Sequence, residues 1–198
     1  MTLKITLAST SRIRQQLLQA ANVIFTACDS GFDEAPLKAH LLKLNAAPSE
    51  IALSLAAAKA SALSGKRSGL VLGCDQVLAF EGSLLSKPQG LDETRDQLKA
   101  LRGRAHDLLS AAVVFENGEQ VWSHVGRTTL TMRPVTDGYL EAYLQRNWSD
   151  VQSSVGGYKL EEEGVRLFSE ITGDYFTVLG MPLVEILGYF GERGAIDT

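Results

Sequence analysis

A chain of 198 residues, 45% hydrophobic and 21% charged, has the balance of an ordinary globular protein and is long enough for a core without disulfide or metal staples. The net charge of −4 excludes a broad basic footprint for nucleic acid, but leaves room for one small cationic pocket. No apolar run could span a membrane, and the stretch MTLKITLAST is too short and too polar for a signal peptide, so a cytoplasmic protein is expected.

Residues 3–8 alternate as a strand, and 11–21 read as a helix with Leu17 and Leu18 inward. Residues 23–27 read as a second strand, followed by a polar loop carrying Asp33 and Glu34. The Ala- and Leu-rich segment 49–64 is a helix with Ser49 as its expected N-cap. Residues 70–73 form a short apolar run, as in a strand buried on both faces, ending in Asp75-Gln76. Segments 77–80 and 84–86 flank a hairpin turn, and 91–101 is helical up to Gly103. Strands 108–115 and 120–132 flank Asn117-Gly118, a strong type I′ hairpin signal. A helix capped by Thr136 covers 136–145, 175–179 reads as a strand, and 182–190 as a helix with proline in its first turn. With no repeat and no linker, residues 1–198 read as one α/β domain: a mixed twisted sheet with flanking helices and two lobes around a substrate cleft.

Chemistry concentrates in a few places. Ser9, Thr10 and Ser11 lead into a helix that presents Arg12 and Arg14, which suits either an anion site or an ordinary N-cap. Asp75 follows a buried strand, where α/β sheets bind ligands, although an aspartate there also caps turns. Lys87 sits on a loop stiffened by Pro88 and is either a phosphate contact or a solvated lysine. Lys59 is the sole charge between Ile51 and Gly65, so it either snorkels to solvent or points into an anion site. The pair Asp33-Glu34 and the run Glu161, Glu162 and Glu163 could ligate a hard divalent cation or be solvated loops. His40, His106 and His124 have no triad or metal spacing and receive no catalytic role. Cys28 and Cys74 lack metal-ligand spacing and read as reduced and buried. No Walker loop, dinucleotide fingerprint or nucleophile elbow is present.

Taken together, "LASTSRIRQQLL", "DE" at Asp33-Glu34, "LAAAKA", "GCDQV", "LSKP", "LRGRAH", "VGGYKLEEEG" and "ITGDYFTVLGMPL" resemble, in order, the motifs of the Maf family of nucleoside triphosphate pyrophosphatases. The resemblance covers nearly the whole chain and implies a Maf/inosine triphosphatase-like fold. It also implies an enzyme that splits a nucleoside triphosphate into a monophosphate and pyrophosphate with a divalent metal, magnesium or manganese. It places the proton acceptor at Asp75 and the phosphate contacts at Ser9, Arg14, Lys59 and Lys87. Glu34 and Asp75 are the expected metal ligands.

Within the resemblance, base choice falls at Ile13, Gln76 and Glu161. The pyrimidine-directed subgroup has Arg, Thr and Gln there, and the 7-methyl-GTP subgroup has Trp, Gln and Glu. Two of the three residues here match the latter, while Ile13 matches neither; Arg12 stands where the family commonly has proline. Guanine offers two donors that one carboxylate can accept, which gives Glu161 a physical rationale. The expected substrate is 7-methyl-GTP. A pyrimidine-directed (TTP/UTP) or broad pyrophosphatase and a non-catalytic regulator of cell division remain as alternatives. The nucleotide is the expected partner, without nucleic acid or membrane and with a homodimer left open.

Overall fold

A computed structural model describes residues 3–197. Its strands are β1 (Ile5–Leu7), β2 (Thr26–Ala27), β3 (Leu70–Phe80), β4 (Ser83–Leu85), β5 (Ala105–Glu116), β6 (Glu119–Met132) and β7 (Phe168–Thr172). Its α-helices are α1 (Arg12–Ala20), α2 (Glu34–Lys43), α3 (Pro48–Ser64), α4 (Leu91–Leu101), α5 (Asp137–Val151), α6 (Tyr175–Val178) and α7 (Leu183–Glu192). The strands form one mixed sheet in the order β2-β1-β3-β5-β6-β7, with β4 on β3, which bears out the expected α/β class. No helix among the described residues is long and apolar enough to cross a membrane.

Two compact units divide the chain, which passes between them within β3, β5 and β6 and again between Gly173 and Asp174. The first comprises the residues up to Gln76, Leu109–Gly126, and those from Asp174 onward. There β1 pairs parallel with β2 and with β3, in the register Ile5↔Leu70 and Leu7↔Leu72. Even-numbered β3 residues, Leu70, Leu72 and Cys74, join Leu17, Leu18, Ile186 and Phe190 in the main core. The odd Val71 faces the other way, with Ala60 and Leu63 of α3. A strand's period of two makes this division and fixes which face each later residue presents.

The second unit, Val77–Leu108 and Arg127–Gly173, contains the antiparallel pairings Leu78↔Leu85 and Thr129↔Thr172 and the helices α4 and α5. His106 is buried there, bonded through Nε2 to Tyr158 Oη at 2.7 Å and flanked by Phe168.

Several local expectations are corrected. Segment 23–27 contributes only two strand residues. Asn22, at φ 55°, and the Val23 N–H bond to Leu18 O at 3.0 Å make its start the terminating turn of α1. The expected loop at Asp33-Glu34 is the start of α2: Asp33 Oδ1 accepts the Ala35 N–H at 3.1 Å. No residue of α2 is buried, so it shows no apolar period. The cap of α3 is Ala47, whose N–H is held by Glu50 Oε2 at 2.9 Å, rather than Ser49. Segment 175–179 is not a strand: Tyr175–Val178 is helical and Leu179 ends the helix, because Asp174 Oδ2 accepts the Thr177 N–H at 2.6 Å and closes a helical turn. Pro182 caps α7 and precedes its first turn. Asn117 and Gly118 both have positive φ, as the expected hairpin requires.

Candidate active site

Strand β3 does not stop at residue 73; it continues to Phe80. Its parallel neighbour β1 does stop, with Leu7 opposite Leu72. Asp75 therefore stands three residues beyond the carboxyl end of that neighbour, the edge at which α/β sheets place ligands.

Gly73 determines what meets Asp75. A Cβ at this position would lie 2.1 Å from Ala56 O and 2.9 Å from Ala60 N. Only glycine allows the α3 backbone to come this close. The approach sets Lys59, next to Ala60, over the residue two positions further along the same face of β3. Lys59 Nζ lies 2.6 Å from Asp75 Oδ1 and 2.8 Å from Glu34 Oε1. With side-chain exposures of 12% for Lys59 and 8% for Asp75, the lysine does not snorkel but turns inward. Burial raises the Asp75 pKa above the ordinary carboxylate value; Lys59, and Arg14 after it, oppose that rise, and Glu34 adds to it.

The opening motif is brought to the same strand. Arg14 Nη1 donates to Cys74 O at 2.9 Å and reaches Ser9 Oγ at 3.5 Å. Arg14 Nε donates to Gly180 O at 2.9 Å. Gly180 has φ +93°, and a Cβ there would lie 3.3 Å from Arg14 Nη2. Much of the guanidinium is thus engaged with backbone, a commitment that the motif alone does not reveal. Ile13 packs against the main core cluster.

Of the expected site residues, the first unit gathers Ser9, Arg14, Glu34, Lys59 and Asp75 around the middle of β3. Gln76 points to the opposite face from Asp75, where its Nε2 bonds Ser110 Oγ, Thr177 O and Val178 O. Lys87 and Glu161 belong to the second unit, and both are exposed. Two of the three consecutive glutamates have structural partners. Glu163 pairs with Arg146 and Asn147, which lower its pKa to about 2, and Glu162 pairs with Lys159. Glu161 has no such partner among the described residues. Cys28 is half-buried rather than buried, whereas Cys74 is buried and its thiol is pushed up to about 11 by desolvation.

Ser110, Thr177 and Gly180 were not among the expected site residues. Their signal was weak: a serine inside an apolar strand, a threonine within segment 175–179, and a glycine directly after it.

A carboxylate buried against Lys59, three residues past the carboxyl end of the neighbouring parallel strand, defines an α/β protein with a charged site on its central strand. The chain belongs to the Maf family: the family model described as Maf-like protein matches residues 4–192. It is 54% identical, over the full length of both chains, to a protein of Ruegeria pomeroyi named nucleoside triphosphate pyrophosphatase, and 50% identical to one of that name from a second Ruegeria strain, again at full length. It is 41% identical, at full length, to a Rhizobium etli protein named 7-methyl-GTP pyrophosphatase.

Proposed function

We propose that Asp75 is the proton acceptor in hydrolysis at the α-phosphorus of a nucleoside triphosphate, and that 7-methyl-GTP is the preferred substrate. The chain is an enzyme of the nucleoside triphosphate pyrophosphatase kind, in keeping with its family and with the names of its full-length relatives. The observation that carries the assignment of Asp75 is its burial against Lys59 with a raised pKa. A carboxylate nearer in pKa to the working pH is a better general base than a solvated one.

In the proposed step a water oxygen attacks the α-phosphorus and gives a proton to Asp75. The bond from that phosphorus to the α–β bridging oxygen breaks, and pyrophosphate leaves with the electron pair. Lys59 and the free edge of the Arg14 guanidinium offset charge on the phosphates; Ser9 and Lys87 are the further proposed contacts.

Glu34 and Asp75 reach one common cationic point, now held by Lys59. Among the described residues no third metal-binding side chain joins them. Two carboxylates with water and phosphate oxygens are a donor set that fits magnesium or manganese arriving with the nucleotide. Such an ion supplies charge neutralisation at the leaving phosphates.

The base preference rests on Glu161, exposed and unpaired beside two partnered glutamates, and on relatives that bear the 7-methyl-GTP name. Its carboxylate would accept the two donors of a guanine edge. Turnover of 7-methyl-GTP, GTP, UTP, TTP and CTP under magnesium and under manganese tests the reading. The highest kcat/KM with 7-methyl-GTP is expected. A preference for UTP or TTP would replace it with the pyrimidine reading, and no release of pyrophosphate from any of them would sink both.

A further inference from the structure

Gln97 lies on the buried face of α4, 8% exposed, and its one amide meets two loops that are far apart in sequence. Gln97 Nε2 donates to Ser86 O at 2.9 Å, and Gln97 Oε1 accepts the Gly156 N–H at 3.0 Å. A carbonyl only accepts and a backbone N–H only donates, so the amide can be placed in this orientation alone. Ser86 immediately precedes Lys87, the proposed phosphate contact. Gly156 opens the segment that leads to Glu161, the proposed reader of the base.

Both loops are fitted to the same helix. On the Lys87 side, Glu93 Oε2 accepts the Gln89 N–H at 2.7 Å, and Thr94 Oγ1 donates to Gly90 O at 2.8 Å. On the Glu161 side, Gly157 has φ +70°, and a Cβ there would lie 2.4 Å from Thr94 Cγ2. Only glycine lets the loop lie this close to α4. From there the chain reaches Glu161 through a closed turn, in which Lys159 O accepts the Glu162 N–H at 3.4 Å. A shift at Ser86 is therefore passed to Lys87, and a shift at Gly156 to Glu161. Gly156 is buried, so loss of the Gln97 acceptor obliges its N–H to move to another partner.

We infer that Gln97 is a positioning residue that holds the loop of Lys87 and the loop of Glu161 at a fixed separation, and so couples the phosphate contact to the choice of base. The inference rests on the proposed roles of Lys87 and Glu161. The test variant is Gln97→Met, which keeps the length of the side chain and removes both bonds. Rates are taken well below its melting temperature and scaled to folded enzyme. The kcat/KM for 7-methyl-GTP should fall at least ~10-fold, the scale of a misplaced contact. Its ratio to that for UTP should fall at least ~3-fold, because Glu161 does not serve UTP. Gln97→Met is then combined with Lys87→Met and, separately, with Glu161→Gln. Each pair should cost at least ~3-fold less, in kcat/KM for 7-methyl-GTP, than the product of its single effects. Effects that multiply in either pair make Gln97 a residue of the core alone and overturn the coupling, as do wild-type kinetics in Gln97→Met. The single variants separate the two levels. If Lys87→Met or Glu161→Gln leaves kcat/KM for 7-methyl-GTP unchanged, that proposed role fails and the coupling with it. If both singles lower it and the pairs still multiply, the coupling alone fails. Should Gln97→Met not fold, Gln97→Asn stays polar and is too short to span both loops, and the same pattern is expected at smaller size.

Discussion

Lys59 Nζ holds Asp75 Oδ1 at 2.6 Å and Glu34 Oε1 at 2.8 Å, so one ammonium joins the first residue of α2 to the middle of β3. An isolated carboxylate as buried as Asp75 would be a poor anion. The lysine keeps it available as one, and burial still leaves its pKa raised. These opposing effects at one group yield the first predictions.

Asp75→Asn should keep the fold and lose at least ~100-fold in turnover, the scale of a lost general base. Lys59 retains Glu34, so no lone buried charge is created. Because the folded pKa is raised, the ionised carboxylate weakens folding above that pKa, and wild-type stability gains from this group as the pH falls through it. The asparagine variant should therefore melt at or slightly above the wild-type temperature at pH 7 and lack that acid-side gain. Melting curves across pH, beside steady-state rates, check both halves.

Lys59→Met should move the acid limb of the pH–rate profile upward. Lys59 is the strongest of the influences that lower the Asp75 pKa, and without it Glu34 only raises that pKa. A profile with its acid limb at the wild-type position would show that the ion pair does not govern the reacting carboxylate. Lys87→Met, on an exposed loop, should instead reduce kcat/KM with the melting temperature unchanged.

Gly73→Ala tests the approach of α3. The added methyl would sit 2.1 Å from Ala56 O, a backbone atom that cannot swing away. A loss of about 1–3 kcal/mol or more in stability is expected, as for overpacked cores. Activity should drop beyond what the unfolded fraction explains, because α3 carries Lys59 away from Asp75. Chemical denaturation and rates measured well below the melting temperature separate the two effects.

His106 gives a pH dependence unrelated to catalysis. Burial lowers its pKa to about 4, so the folded protein keeps the ring neutral. Its contribution to stability is complete above the ordinary value of 6.5 and is lost as the pH falls from there toward about 4, where the folded form also takes the proton. A shift of this size corresponds to roughly 3 kcal/mol. His106→Gln can still bond Tyr158 and should flatten the stability profile over that range; an unchanged slope would assign the acid sensitivity to other groups.

Glu161→Gln keeps the shape of the side chain and replaces one acceptor with a donor. It should lower kcat/KM for 7-methyl-GTP by at least ~10-fold, consistent with the loss of charge-assisted bonds, and leave UTP and TTP turnover unchanged or improved. An equal fall for all three would point to a metal or phosphate role; no change would make Glu161 a solvated surface residue.

The sequence by itself determined the α/β class, the long hairpin at Asn117-Gly118, helix α4 from Leu91 to Leu101, and the set of charged residues worth testing. Those features are local: they follow from apolar period, turn chemistry and residue type. It could not place α2, because a helix that buries nothing shows no period. It read segment 175–179 as a strand, because aromatic and β-branched residues outweighed a single capping aspartate. It left Lys59 undecided between solvent and site; only the close passage of α3 over Gly73, a contact between segments distant in sequence, turned the lysine toward Asp75. It also set Gln76 beside Asp75 as a neighbour. The pleat of β3 sends the two side chains to opposite faces, and which face holds α3 and which holds the 177–180 turn is decided by packing alone.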